Sequence, residues 1–149
     1  MGAKKKKVKE IMNRDVETVS PDDTARDIAE FMRHQDVSVV PVCEDGKLLG
    51  TIEDRDFTRG LVAEGLDPAT VLARDVMNPE IATCAEDDEV DVATALMEER
   101  GTHRVFVIDP NGRLKGLVSL GKIARTESER VAGRVVMKIS KPPSSRRAV

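Results

Sequence analysis

Trp and Tyr are absent from this 149-residue chain, and Phe occurs only three times. A surface that stacks on single-stranded nucleic acid needs aromatic faces, so this composition argues against that function. The core must be built from Val, Ile, Leu, Ala and Met. Cysteine is nearly as scarce: Cys43 and Cys84 lack metal-ligand spacing and the density of a disulfide framework. Each reads as a small apolar side chain in or beside a strand. No apolar run reaches the length that spans a bilayer, and no secretory h-region is present, which points to a reducing cytoplasm. Met1-Gly2 resembles a myristoylation start, but Lys6 stands where Ser or Thr is needed. A Walker loop, a dinucleotide glycine motif, a zinc cluster and a nucleophile–base set are all missing. No catalytic residue, no metal and no required cofactor is therefore expected.

Charge is plentiful and unevenly placed. Asp, Glu, Lys and Arg make up 34% of the chain, with a net charge of -3. Residues 1–9 carry five Lys, and residues 138–149 carry two Lys and two Arg, with no acid in either stretch. The body between holds the remaining 15 bases against 27 acids, a balance near -12. Such a body does not attract nucleic acid or an anionic membrane; only the tails would. A solvated arm is the plainer reading of those tails, and polyanion contact the less favoured one.

The chain also repeats itself. The segment from Ile11 to Phe57 returns from Val76 to Ile123. Ile11-Met12-Asn13 matches Val76-Met77-Asn78, and Thr18-Val19 matches Thr83-Cys84. Asp22-Asp23 recurs as Asp87-Asp88, and Gly46-Lys47-Leu48-Leu49-Gly50 as Gly112-Arg113-Leu114-Lys115-Gly116. Internal repetition dictates architecture. Two copies of one pattern predict a pseudo-symmetric body with any ligand site in the groove between the halves.

Within the first copy, Val16–Val19 is expected as a short strand. Ser20 then caps a helix that has Pro21 in its first position and acids at its positive end. Ala25, Ile28, Ala29 and Met32 form one buried stripe, matched by Val90, Ala93, Thr94 and Met97. The β-branched runs Val37–Val42 and Arg104–Ile108 are strands, followed by turns at Glu44-Asp45-Gly46 and Asp109-Pro110-Asn111-Gly112. Strands over Leu48–Glu53 and Leu114–Ser119 come next. Helices follow, from about Asp54 to Ala63 and from about Leu120 to at least Arg130. Val131–Ile139 fits either a continued helix or an extra strand, and the Pro/Ser-rich tail from Lys141 reads as disordered. The organisation is a basic arm (1–9), a first repeat (10–65), a linker (66–75), a second repeat (76–130) and an extension with a basic tail (131–149).

These linked features resemble a tandem pair of cystathionine β-synthase-type (CBS) domains, over about residues 8–130. The features are the Ile/Val-Met-Asn opening, Thr before an acidic helix start, an apolar strand, a G-x-L-x-G hairpin and a polar strand end entering a helix. Gly65-Leu66-Asp67-Pro68 between the copies adds a likeness to stand-alone two-repeat proteins. The resemblance implies an α+β fold of two β-α-β-β-α repeats packed sheet to sheet, often as a disc-like homodimer. It implies a regulatory role: binding AMP, ADP, ATP or S-adenosylmethionine between repeats, and signalling to a partner by a shift in packing. The alternative is a degenerate scaffold of the same fold that binds no physiological ligand.

The family's ribose signature, G-h-x-[ST]-x-x-[DN], puts a hydroxyl and a carboxylate one helical turn apart, where they face the same way. Here it is divided. The first copy, Gly50-Thr51-Ile52-Glu53-Asp54-Arg55-Asp56, keeps the carboxylate Asp56 but has Glu53 for the hydroxyl. The second, Gly116-Leu117-Val118-Ser119-Leu120-Gly121-Lys122, keeps Ser119 but has Lys122 for the carboxylate. Asp56 is the leading ribose ligand, with helix-start stabilisation as its plainer role. Arg55 beside it is the candidate phosphate contact, and Glu53 tilts the first site toward an uncharged ribose or a sulfonium. Lys122 cannot accept a ribose hydroxyl, so it marks either phosphate contact or, as the favoured reading, lost ribose recognition. By position in the family, Thr18, Thr83, Val37, Ser38, Pro41, His103 and Arg104 are further ligand-wall candidates. Phe106, where Pro41 stands in the first copy, fills the cleft rather than stacking on a base. One useful site is expected, on the Asp56 side, or none.

Overall fold

Each apolar stripe closes over its own core. The helix α2, Ala25–Gln35, buries Ala25, Ile28 and Met32, and Ile28 and Met32 share a core with Val19, Val40, Val42 and Ile52. Helix α5, Val90–Arg100, buries Val90, Ala93, Thr94 and Met97, against Val105, Val107, Val118 and Ile123. The computed structural model describes residues 5–140. Within them the first core belongs to a unit of residues 15–81 and 110–114, and the second to a unit of 5–14, 82–109 and 115–140. Both units mix short helices with small sheets, an α+β fold. Among the described residues no helix is long and apolar enough to cross a membrane. Lys4 of the basic arm and the tail from Lys141, read as disordered, lie outside the described residues.

In the first-repeat unit, strands β1 (Val39–Glu44) and β2 (Lys47–Glu53) pair antiparallel, with a bulge between Val42 and Cys43. Their two-residue connection, Asp45-Gly46, has φ of 51° and 80°. Positive φ at both positions defines the type I′ turn that matches strand twist. The expected strand Val16–Val19 shrinks to one bridging residue: Val19 N–H donates to Pro41 at 3.0 Å, and Cys43 N–H donates to Val19 at 2.9 Å. Thr18 is exposed, so only Val19 gains burial by joining the sheet. The α2 cap is also corrected. Thr24 Oγ1 accepts the Asp27 N–H at 3.2 Å, whereas Ser20 belongs to a preceding turn in which its N–H donates to Asp23 at 2.8 Å. Ala29, expected in the buried stripe, is exposed. After β2 comes α3, Asp54–Phe57, which runs on as a π-helical turn over Thr58–Val62.

In the second-repeat unit the sheet order is β3 (Thr83–Cys84), β4 (Arg104–Ile108), β5 (Leu114–Ser119). Strand β3 is parallel to β4, with Thr83 opposite Phe106. The Asn-Gly turn departs from expectation, because only Gly112 has positive φ, at 82°. The loop is instead shaped by its partners: Leu48 N–H donates to Gly112 at 3.0 Å, and Leu114 N–H donates to Gly46 at 2.9 Å. The final helix is two helices. α6, Leu120–Thr126, stops at Glu127, and Ser128 caps α7, Glu129–Ile139, by accepting the Val131 N–H at 3.3 Å. Val135 of α7 is fully buried, while Val136 and Met137 face outward.

Residues 5–9 are not a solvated arm. Helix α1, Val8–Ile11, inserts Val8 and Ile11 into the second-repeat core. Lys9 pairs with Asp87 at 2.8 Å and Lys5 with Asp91 at 3.0 Å. The Lys9 ammonium, by hydrogen bond and charge, holds the Asp87 carboxyl below its usual range. Exposed pairs of this kind contribute little, so the buried Val8 and Ile11 hold the segment down.

The linker does the same for the first repeat. Helix α4, Ala73–Val76, buries Ala73 against the first core. Ala73 N–H donates to Asp23 at 2.9 Å as Val8 N–H donates to Asp88 at 2.8 Å. Asn78 exchanges both backbone bonds with Thr51, at 2.8 and 3.0 Å, as Asn13 does with Leu117, both at 2.9 Å. Each Ile/Val-Met-Asn opening therefore packs with the body of the other repeat, and the compact units do not follow the repeat boundaries. This explains the second Gly of each G-x-L-x-G. A Cβ on Gly50 would lie 2.8 Å from the Asn78 carbonyl oxygen, and one on Gly116 would lie 2.8 Å from that of Asn13.

Candidate functional site

The divided signature falls where each last strand enters a helix. At Glu53, the Asp56 carboxylate turns back and accepts the Glu53 N–H at 2.7 Å. At Ser119, the hydroxyl accepts the Lys122 N–H at 3.1 Å. These are the two halves of a capping box, in which the first residue satisfies the helix's third N–H and the third residue satisfies the first's. The first copy shows the return bond from Asp56, and the second only the forward bond to Ser119, because the Lys122 side chain has no acceptor.

The side chains around these caps differ in charge. Arg55 Nε lies 2.6 Å from Glu53 Oε2, so the expected phosphate contact of the first copy is already paired. In the second copy a cleft of about 520 Å³ is lined by Met12, Asn13, Arg14, Leu117, Ser119, Lys122 and Arg125. Among the described residues it carries three cations and no carboxylate. None of Arg14, Lys122 and Arg125 makes an ion pair among the described residues. Elsewhere in the same unit Lys5, Lys9 and Arg134 are paired. Such a cleft is suited to a multiply charged anion, with the Ser119 oxygen at its edge.

A second cleft of about 380 Å³ adjoins it, lined by His103, Arg104, Ser119, Leu120, Gly121 and Ala124. Ser119 borders both. The His103 carbonyl accepts the Leu120 N–H at 2.8 Å, which fixes the strand against the helix start. This second lobe is formed largely by small and apolar groups, and it could seat a flat uncharged moiety.

Other candidates are scattered. In the first-repeat unit Val37 and Ser38 are exposed, and the Ser38 carbonyl accepts the Asp54 N–H at 3.1 Å. Pro41 is buried. Thr83 is half-buried in β3, and Phe106 is only 3% exposed, already packed as filler. Both described clefts border Ser119, whereas the weight of the sequence fell on Asp56. Sequence reasoning missed Asn13, Arg14 and Arg125. One signal was available: Lys122 and Arg125 are three apart at a helix start and so share a face. Burial, with Asp88 adding to it, pushes the Cys84 thiol up to about 11, which makes it a packed apolar group rather than a nucleophile. Among the described residues no group of three His, Cys, Asp or Glu side chains converges as a metal site would require.

Comparison with known proteins agrees with this fold. The family model for the CBS domain matches residues 8–63 and 73–129. An uncharacterized protein of Methanopyrus kandleri, MK0525, is 40% identical over 126 residues, 84% of this chain; the chain spans only 64% of that relative's length. The CBS domain-containing protein YhcV of Bacillus subtilis is 34% identical over 134 residues, covering 89% of this chain and 94% of YhcV. Among solved structures, Hypoxic Response Protein I with two coordinated zinc ions has a TM-score of 0.75 at 31% identity, over 83% of this chain and all of that one. Two further structures share the fold at 23% identity. CBSX2 in complex with AMP has a TM-score of 0.69, over 80% of this chain and 93% of its own. The CBS domain pair of MJ0100, with 5-methylthioadenosine and S-adenosylmethionine, has a TM-score of 0.71, over 82% and 95%.

Proposed function

The chain belongs to the CBS-domain family, and from that premise we propose that it is a regulatory module binding an adenine nucleotide, AMP, ADP or ATP. The ligand would occupy the paired clefts that meet at Ser119. Its phosphates would face Arg14, Lys122 and Arg125, and its base the lobe of Leu120, Gly121 and Ala124. The observation that carries this reading is three cations that, among the described residues, have no ion-pair partner and line one cleft without a carboxylate, in a body that is acidic overall. S-adenosylmethionine, with its cationic sulfonium, suits this lining less well. The AMP and S-adenosylmethionine complexes of structural neighbours support the adenosine class.

Signalling would run through the N-terminal segment. Asn13 and Arg14 belong to it, so a bound nucleotide strengthens its docking, and a partner that senses the segment is coupled to the ligand in both directions. The same reading has the module working as a cytoplasmic homodimer, and light scattering at two protein concentrations tests the dimer. For the ligand, calorimetry with AMP, ADP, ATP and S-adenosylmethionine is decisive. Binding of at least one nucleotide, weakened about tenfold or more in Arg125→Ala, is expected. Absence of heat with every nucleotide would sink the proposal.

A further inference from the structure

We propose that Lys122 makes this cleft a polyphosphate site that is blind to the ribose diol. The inference rests on the nucleotide reading above and adds what the cleft selects. Its basis is the contrast between the two repeats of this chain. In the first, the third helical position is Asp56, an acceptor; in the second it is Lys122, which has three donors and no acceptor. A vicinal diol is held by donating both hydroxyls to one carboxylate, and the described lining of this cleft contains no carboxylate.

Ser119 does not replace it. Its oxygen already accepts the Lys122 N–H at 3.1 Å, so it has one lone pair and one proton left for a ligand. What the cleft does offer is spread positive charge. Lys122 and Arg125 come from one face of α6, and Arg14 from the N-terminal segment. Three cations on two separate chain segments match an extended string of phosphates better than a single phosphate. The site therefore grades ligands by phosphate number and ignores the sugar.

Calorimetry with ATP, 2′-deoxy-ATP and inorganic tripolyphosphate tests this on the full chain, in wild type, Lys122→Gln and Lys122→Asp. Asp at this position would complete the capping box begun by Ser119, so the variant should fold, and a thermal melt checks it. The expected result is that ATP and 2′-deoxy-ATP bind wild type within about twofold of each other, and that tripolyphosphate displaces ATP. Lys122→Asp should weaken tripolyphosphate by about ten- to a hundredfold, with Lys122→Gln between. A preference of about tenfold for ATP over 2′-deoxy-ATP in wild type, or unchanged tripolyphosphate binding in Lys122→Asp, would overturn the inference while leaving the nucleotide reading intact. Should tripolyphosphate bind through Lys122 while neither nucleotide binds more tightly than it, the polyphosphate cleft stands and the adenosine reading falls.

Discussion

Asp56 Oδ2 lies 2.7 Å from the backbone nitrogen of Glu53 and satisfies the first free N–H of its helix. Ser119 serves the second repeat from the other end of the same four-residue frame, accepting from Lys122. A signature read as ribose chemistry is therefore also helix-capping chemistry, and the two roles predict different things. Asp56→Ala and Ser119→Ala should each lower stability by about 1 kcal/mol in urea unfolding, ligand or no ligand. Asp56→Asn, which keeps an acceptor oxygen, should lose clearly less than Asp56→Ala.

The second glycine of each G-x-L-x-G hairpin is fixed by crowding. A Cβ on Gly116 would meet both the Asn13 carbonyl and the Met12 sulfur at 2.8 Å. Gly116→Ala should cost about 1–3 kcal/mol in urea unfolding, and Gly50→Ala, facing Asn78 in the same way, a similar amount. Gly133 in α7 is the control, because a methyl group added there would meet nothing within 4 Å. Gly133→Ala should raise stability by about 0.5–1 kcal/mol.

Ile11 is 3% exposed within the second-repeat core, although it lies at the other end of the sequence from that core. Ile11→Ala should cost about 2–5 kcal/mol. Hydrogen exchange should show the loss of protection in α5 and β4 rather than in β1 and β2, which belong to the other unit. Equal loss in both units would contradict the assignment of this segment.

Thiol chemistry supplies a pH test. The Cys84 thiol is pushed up to about 11 from an ordinary 9.0 by burial, with Asp88 adding to it. Burial raises the Cys43 thiol as well. A raised acid pKa means that the folded chain keeps a proton the unfolded chain has released, so stability falls as pH climbs from 9.0 toward about 11. The urea midpoint should drop across that window, and by less in Cys84→Ala. At pH 8 a disulfide reagent should label native Cys84 far more slowly than the urea-unfolded chain.

Much of this architecture was legible from periodicity and turn chemistry. Strands Arg104–Ile108 and Leu114–Ser119 and the stripe Val90, Ala93, Thr94, Met97 are found where the pattern put them. The misses were of two kinds. Ser20 and Thr24 are both good caps, and backbone partners from the linker (Ala25 N–H to Val71 at 2.8 Å) fix the later start. Five Lys in nine residues disguised the two apolar residues that matter, Val8 and, just beyond, Ile11. The matching of Met12-Asn13 with Met77-Asn78 was visible, but a match in sequence does not say which repeat a segment packs against. Arg14 could not be assigned to a cleft for that reason, since only the fold brings it to the cleft that Ser119 also lines.

The placement of residues 5–14 with residues 82–109 and 115–140 also sets an order of assembly. Residues 5–14 leave the ribosome before the rest of their unit, and their core partners Val118, Ile123 and Val135 emerge long after them. Until then α1 has nowhere to bury Val8, and the second-repeat unit cannot close. Residues 15–81 have most of their own unit in hand much earlier and lack only the loop 110–114. During synthesis the chain should therefore pass through a stage with one unit nearly formed and residues 5–14 unclaimed, and premature termination before α7 should leave that segment open to proteases or chaperones.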